Sequence, residues 1–220
     1  MDTPRTSIAQ AQQRMLDEQL RARGITSPRV LSAMAKVPRE QFTPRTEPVE
    51  AYADRAWPID CSQTISQPFI VGMMTQALDL SGSERVLEVG TGSGYQAAVL
   101  AEIAARVITI ERHPELARQA SQLLSWLGYD NVKVMVGDGS LGWPAEAPYD
   151  RIIVTAAGRQ PPPALLAQLS DGGLLVMPVG ETDIQQLIRL EKQGNQFHRQ
   201  ELSGCRFVPL VGQQGWPEQN

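Results

Sequence analysis

From Ser7 to Arg23 apolar and amide positions recur at helical spacing. Gln12, Met15, Leu16, Gln19 and Leu20 fall on one face, and Gly24 follows as a C-cap. Residues 1–6 carry no such pattern and are expected to fray. A second helix is predicted over Pro28–Lys36, with Val30, Leu31 and Met34 together and Pro28 in its first turn; Pro38 stops it. Residues 43–63 hold Pro44, Pro48 and Pro58 and no clear period, which reads as a long surface loop. From Pro68 a stripe of Ile70, Met73, Met74, Ala77 and Leu78 predicts another helix, ending near Ser81-Gly82.

The period then changes. Short apolar runs over Arg85–Val89, Arg106–Ile110, Val132–Val136, Asp150–Thr155 and Leu174–Val179 read as strands. Helical stretches lie among them: Gly94–Ala104, Pro114–Leu127 (Leu116, Ala120, Leu123, Leu124 and Leu127 inward) and Pro163–Leu169. Such alternation predicts βαβ units and a parallel sheet covered on both faces. After Gly180, Gln186–Glu191 and Phe197–Phe207 read as two strands joined by a hairpin turn at Gln193-Gly194-Asn195-Gln196. The fold class is α/β: a doubly wound, mostly parallel sheet ending in antiparallel strands. Three parts are expected: an N-terminal helical segment (1–84), the core (85–212) and a mobile tail (213–220).

Composition adds exclusions. The 220 residues are 42% hydrophobic and 20% charged, an ordinary globular mixture expected to form one domain with additions. A net charge of −4 makes the chain a poor general binder of nucleic acid, which needs a basic face. Cys61 and Cys205 are far apart and His113 and His198 are the only histidines, so neither a disulfide framework nor a metal site is expected. The N-terminal residues have no apolar run of the signal-peptide kind, and no stretch approaches the ~20 residues of a membrane span. A cytoplasmic protein without membrane contact is expected. No coiled-coil or dimerisation stripe is visible, and a monomer is expected.

The most informative stretch is Val86–Tyr95 (VLEVGTGSGY), a buried strand running into a glycine-rich turn that opens a helix. Glycines there let backbone approach a ligand closely, and the turn falls at the carboxyl end of the strands, where doubly wound sheets bind ligands. A glycine-rich turn can also be purely structural. The dinucleotide fingerprint G-x-G-x-x-G is not met: Gly94 comes two residues after Gly92, and Tyr95 stands at the third. Glu88, Gly90, Thr91, Gly92 and Gly94 instead follow the E/D-x-G-x-G-x-G form, similar to that of S-adenosyl-L-methionine (AdoMet)-dependent methyltransferases, whose loop faces the amino-acid end of the cofactor. Glu111 closes the next strand, where a carboxylate can accept from both ribose hydroxyls. Asp138, in Gly137-Asp138-Gly139 after the third strand, can contact the adenine amino group. Each acid alone reads as a solvated or capping residue; three in order at βαβ spacing favour a nucleoside site.

Absences narrow the methyl acceptor. The fourth strand ends Thr155-Ala156-Ala157-Gly158, without the (Asp/Asn)-Pro-Pro-aromatic box of amino-methylating nucleic-acid enzymes, and neither cysteine follows a proline. Before the sheet, Gln63-Thr64-Ile65-Ser66-Gln67-Pro68 enters a helix. Ser66 reads either as its N-cap or as a hydroxyl beside free N–H groups that receives an anionic substrate.

The chain resembles the protein-L-isoaspartate (D-aspartate) O-methyltransferase family. The resemblance rests on Val37–Phe42 (VPREQF), Gln63–Pro68 (QTISQP), Val86–Gln96 and Gly137-Asp138-Gly139 with Gly142-Trp143. It continues through Ala147–Asp150 (APYD), Ile152–Ala157 (IIVTAA), Gly172-Gly173, Pro178–Gly180 and Arg206–Leu210 (RFVPL), in family order over about residues 14–212. The resemblance implies a seven-stranded Rossmann-like AdoMet-dependent methyltransferase core. It implies methylation of the free carboxylate of L-isoaspartyl, and D-aspartyl, residues in damaged proteins, with S-adenosyl-L-homocysteine as product. The ester then closes to a succinimide, whose hydrolysis returns some normal aspartate. It implies Ser66 as the active-site serine and Gln63, Thr64 and Ile65 as residues closing over cofactor and substrate. Gly139 would stand with Asp138 at the cofactor, and Val208, Pro209 and Leu210 would help form the peptide wall. Asp60-Cys61-Ser62 stands where members often carry glycines, a departure at the loop that closes the site. A methyltransferase acting on another carboxylate or a small molecule is the alternative.

Overall fold

The computed structural model describes residues 7–218; the residues expected to fray, 1–6, lie outside them. Ser7 opens the chain with a capping box, accepting from Gln10 N at 3.2 Å while Gln10 Oε1 accepts from Ser7 N at 2.9 Å. Helix α1 (Ile8–Arg14) runs into a π-helical stretch, Met15–Leu20, and a 3₁₀ turn, Arg21–Arg23, which Gly24 ends in a left-handed conformation. The wider π turn still buries Met15, Leu16 and Leu20 as the spacing predicts. Helix α2 (Pro28–Lys36) has the predicted bounds and is capped by Ser27.

Residues 43–63 differ from the expected surface loop. Ala51 and Tyr52 are buried in a 3₁₀ turn, Glu50–Tyr52. Strand β1 (Trp57–Pro58) pairs antiparallel with β2 (Thr64–Ile65). Elements of two or three residues are too short to show a period, and Tyr52 is met by Gln19 from the first helical run. Helix α3 (Pro68–Ala77) buries Val71, Met74 and Thr75, with Leu78 following, while Ile70 and Met73 are only partly covered. The expected stripe is thus rotated, because nearly every position of this helix is apolar and the sequence offers little contrast between faces.

The sheet has the order β5-β4-β3-β6-β7-β8-β9. Strands β3 (Arg85–Val89), β4 (Arg106–Glu111), β5 (Val132–Val136), β6 (Tyr149–Val154) and β7 (Leu169–Gly180) are parallel, and β8 (Gln185–Gln193) and β9 (Gln196–Cys205) close it antiparallel. Helices α4 (Tyr95–Ala101), α5 (Pro114–Trp126) and α6 (Pro163–Ala167) connect them. This is the doubly wound seven-stranded sheet expected, with β7 starting earlier and α6 shorter than read. Successive strand residues serve opposite faces. Val86, Val107, Ile153 and Val176 pack with α3, α4 and the N-terminal helices, whereas Leu87, Ile108, Ile152 and Leu175 pack with Leu165 of α6.

The segment expected to be a mobile tail is held against the sheet edge as far as it is described. Gln213 N donates to Asp138 Oδ2 at 2.7 Å, Gln214 N to Ser140 Oγ at 2.9 Å and Trp216 Nε1 to Ala157 O at 3.0 Å. A terminal position alone suggests mobility; backbone and side-chain donors reaching acceptors remote in sequence override it. Among the described residues no helix is long and apolar enough to cross a membrane.

Candidate active site

Strand β3 delivers the glycine turn to the carboxyl edge of the sheet. Gly90 has φ +99°, and a Cβ there would stand 2.3 Å from Thr155 Oγ1. That hydroxyl donates to Gly90 O at 2.7 Å and lies 3.1 Å from Val89 O, stitching the ends of β3 and β6. Gly90 N and Thr91 N both donate to Ile110 O, which fixes the turn to β4. Glu111, at the end of β4, is 4% exposed. Its Oε2 accepts from Gly92 N at 2.9 Å and its Oε1 from His113 N at 3.0 Å. Each oxygen keeps a further lone pair for a hydroxyl donor.

A cleft of about 550 Å³ opens above this edge, lined by Gln63, Thr64, Gly90, Gly92, Glu111, Gly139 and Val208–Leu210. A second compartment of about 420 Å³ shares Thr64, Gly90, Gly92 and Thr155 with it and adds Ile65, Ser66 and Thr91. The Val208–Leu210 segment is fixed as an extra strand-like edge, with Ala157 N donating to Val208 O and Leu210 N to Ala157 O, both at 2.8 Å.

Ser66 is not an N-cap. Gln67 holds that position, extended ahead of Pro68, and Ser66 lies one residue outside the helix. Its hydroxyl makes no hydrogen bond among the described residues, and its carbonyl accepts from Arg39 Nη2 at 2.7 Å. The hairpin before it turns at Asp60–Gln63, with Gln63 N donating to Asp60 O at 3.1 Å. Cys61 and Ser62 both take φ +56° there. Those are left-handed conformations that glycine adopts without strain, so the Asp60-Cys61-Ser62 departure puts two side chains where glycine would fit best.

Three of the residues singled out from sequence stand apart from the cleft. Gly94 packs beneath it, its Cβ position 3.4 Å from Ala120 and Leu124 side chains. Asp138 is taken up by its own chain: Oδ1 accepts from Ser140 N and Oγ, and Oδ2 from Gln213 N. Glu88 is wholly buried below the turn with neither oxygen hydrogen-bonded. Thr109, its partner in register on β4, shares its hydroxyl with Thr91 at 2.6 Å. Burial, with Glu111 adding to it, pushes the Glu88 carboxyl up to about 8. Period-2 alternation carried a warning, because Glu88 falls on the face of Val86. Sequence reasoning missed Thr155 as a fastener of the turn and Arg112 as a cleft residue. Each ends or follows a strand beside β3, the signal that could have found them.

A Rossmann-like sheet with a glycine cradle too tight for a side chain, and an oriented carboxylate one strand away, defines the AdoMet-dependent methyltransferase class, and the residues present fit that cofactor. The model of the Protein-L-isoaspartate(D-aspartate) O-methyltransferase family matches residues 10–215. A protein-L-isoaspartate O-methyltransferase of Herpetosiphon aurantiacus is 53% identical over 94% of this chain and 92% of its own. Protein-L-isoaspartate O-methyltransferase 2 of Pelobacter propionicus is 56% identical over 92% of this chain and 91% of its own. A solved protein-L-isoaspartate O-methyltransferase superposes with TM-score 0.84 at 26% identity, covering 93% of this chain and 67% of that one. A Plasmodium falciparum structure in complex with S-adenosyl-L-homocysteine shares the fold at TM-score 0.77 and 24% identity, covering 90% of this chain and 96% of that one. The chain belongs to the protein-L-isoaspartate (D-aspartate) O-methyltransferase family.

Proposed function

We propose that this enzyme transfers the methyl group of AdoMet to the free carboxylate of L-isoaspartyl residues in damaged proteins, starting their repair through a succinimide. The observation that carries the reading is the second compartment. Ser66, whose hydroxyl makes no hydrogen bond among the described residues, lines it together with Thr64, Gly90, Gly92 and Thr155, which the two compartments share.

When bound, AdoMet supplies an electrophilic methyl carbon on a sulfonium. Gly90, Thr91 and Gly92 would receive its amino-acid end, Glu111 its ribose hydroxyls, and Gly139 would border the adenine, with Asp138 holding the wall behind. Glu88 and Gly94 support the turn from below. The acceptor carboxyl titrates near ~4 and arrives ionised at neutral pH, so the chain needs no general base. Ser66 then donates a hydrogen bond that orients the carboxylate. Gln63, Thr64 and Ile65 close over the reacting groups and exclude water, and Val208, Pro209 and Leu210 wall the peptide. The contribution of these residues is alignment and desolvation. D-aspartyl acceptors, a cytoplasmic setting and a monomeric enzyme belong to the same proposal.

Labelled methyl transfer to paired peptides differing only in isoaspartyl or aspartyl linkage tests it. Base-labile label on the isoaspartyl peptide alone is expected. Equal labelling of both, or label only on other acceptors, overturns it.

A further inference from the structure

Outside the cleft, Arg39 lies buried between the segment before the hairpin and α4. This side chain is 0% exposed, and among the described residues it makes no ion pair. Its Nε donates to Ala51 O at 2.7 Å and its Nη2 to Ser66 O at 2.7 Å. Its Cζ lies 4.6 Å from the centroid of the Tyr95 ring, the residue that follows Gly94 of the glycine turn. Phe42 packs edge-on to the same ring at 5.5 Å. The two carboxylates near in sequence are engaged elsewhere: Glu40 with the Tyr52 hydroxyl, Asp54 with Arg23 and Phe69 N.

A buried cation without a counter-ion costs stability. Nη1 and Tyr95 Oη are both buried without a partner, so hydrogen bonding does not complete the balance either. Two carbonyl hydrogen bonds and the face of the Tyr95 ring offset part of that cost. What sets this arginine apart is its position. One planar, forked donor spans two carbonyls on separate segments and stacks on a third element. It joins the segment before the hairpin, Ser66 two residues ahead of α3 and the first residue of α4.

We propose that Arg39 is a positioning residue for the acceptor: its guanidinium sets the Ser66 backbone against Tyr95 and so fixes the Ser66 hydroxyl relative to the glycine turn. The inference rests on the reading of Ser66 as the group that orients the acceptor carboxylate. Removing the clamp lets the Ser66 segment shift while the glycine turn and Glu111, held by β3 and β4, keep their places.

Arg39→Lys and Arg39→Met are compared with the wild-type enzyme. S-adenosyl-L-homocysteine binding is measured by calorimetry and methyl transfer on an isoaspartyl peptide by steady-state kinetics. Both variants should bind the nucleoside at wild-type stoichiometry with Kd within about threefold, while Arg39→Met loses about thirtyfold or more in kcat/KM, chiefly in kcat. Arg39→Lys, which keeps the charge but reaches one carbonyl at a time, should recover part of that loss. A loss below about threefold in both overturns the proposal, as does nucleoside affinity falling in step with catalysis. If only one variant folds, its ratio of catalysis to binding decides; if neither folds, Arg39 is a folding residue and the proposal falls. A wild-type enzyme inactive on the isoaspartyl peptide would instead sink the underlying functional reading.

Discussion

Replacing Glu88 with glutamine should stabilise the enzyme at neutral pH and flatten the pH dependence of its folding. Glu88 is fully buried, neither of its oxygens has a partner, and its carboxyl is pushed from 4.5 to about 8. The unfolded chain gives up this proton near the ordinary value, while the folded chain holds it until about 8. Between those two pH values the folded state binds more protons than the unfolded state, so stability falls as pH rises. The contribution is complete below the lower value, declines by up to ~1.4 kcal/mol per pH unit, and is gone above the upper one. At pH 7 the accumulated cost comes to about 3 kcal/mol, an upper figure because any local relaxation lowers it. Glutamine has nearly the shape of the protonated acid and no proton to lose, so its burial adds only a pH-independent offset. Urea unfolding of both proteins at pH 5, 6, 7 and 8 checks this. The difference should move steadily in favour of Glu88→Gln as pH rises. A difference independent of pH, or one moving toward the wild type, would refute the burial argument.

Glu111→Ala removes the carboxylate that faces the cleft from the end of β4, and AdoMet affinity should fall at least about tenfold, or ~1.4 kcal/mol, by calorimetry; unchanged affinity would contradict the ribose assignment. Ser66→Ala should lower turnover on an isoaspartyl peptide while leaving AdoMet affinity nearly intact, and wild-type turnover would remove Ser66 from the mechanism. Gly90→Ala puts a methyl group 2.3 Å from Thr155 Oγ1 at φ +99°. With left-handed strain and two displaced Thr155 hydrogen bonds it should cost about 3 kcal/mol in a denaturant melt and weaken AdoMet binding too.

What the chain discloses in advance follows from how local each cause is. Pro28–Lys36, Arg85–Val89 and Val132–Val136 have the bounds their sequences predict, because a capped helix or a strand flanked by turns carries its own signals. Asp138 looked available for a ligand, and nothing nearby in sequence says that Gln213 N, 75 residues on, would claim its second oxygen. Ser66 looked like a cap because Ser precedes a proline-led helix by two residues. The extended conformation that Pro68 imposes on Gln67 moves the cap one place on and frees the hydroxyl. Tyr52 sat in a stretch without period, yet it is buried by contacts from the first helical run, where Gln19 Nε2 donates to its carbonyl at 2.9 Å.

The same division separates the class of this enzyme from its specificity. The glycine turn and Glu111 are held by their own βα unit: Gly90 N and Thr91 N reach Ile110 O, and Gly92 N reaches Glu111. The proposed nucleoside site is set by local geometry and is readable from a dozen residues. The proposed acceptor side is assembled from irregular pieces remote from one another. Ser66 is held by Arg39, the hairpin turn by Cys61 and Ser62 in left-handed conformations, and the Val208–Leu210 wall by Ala157. No periodicity encodes such contacts. They are grafted onto a sheet that serves many chemistries, and the proposed reading puts the choice of methyl acceptor there. Changes there, at Arg39 or Ser66, should therefore alter catalysis on the peptide while leaving the nucleoside bound, whereas changes at Gly90 or Glu111 should strike nucleoside binding first.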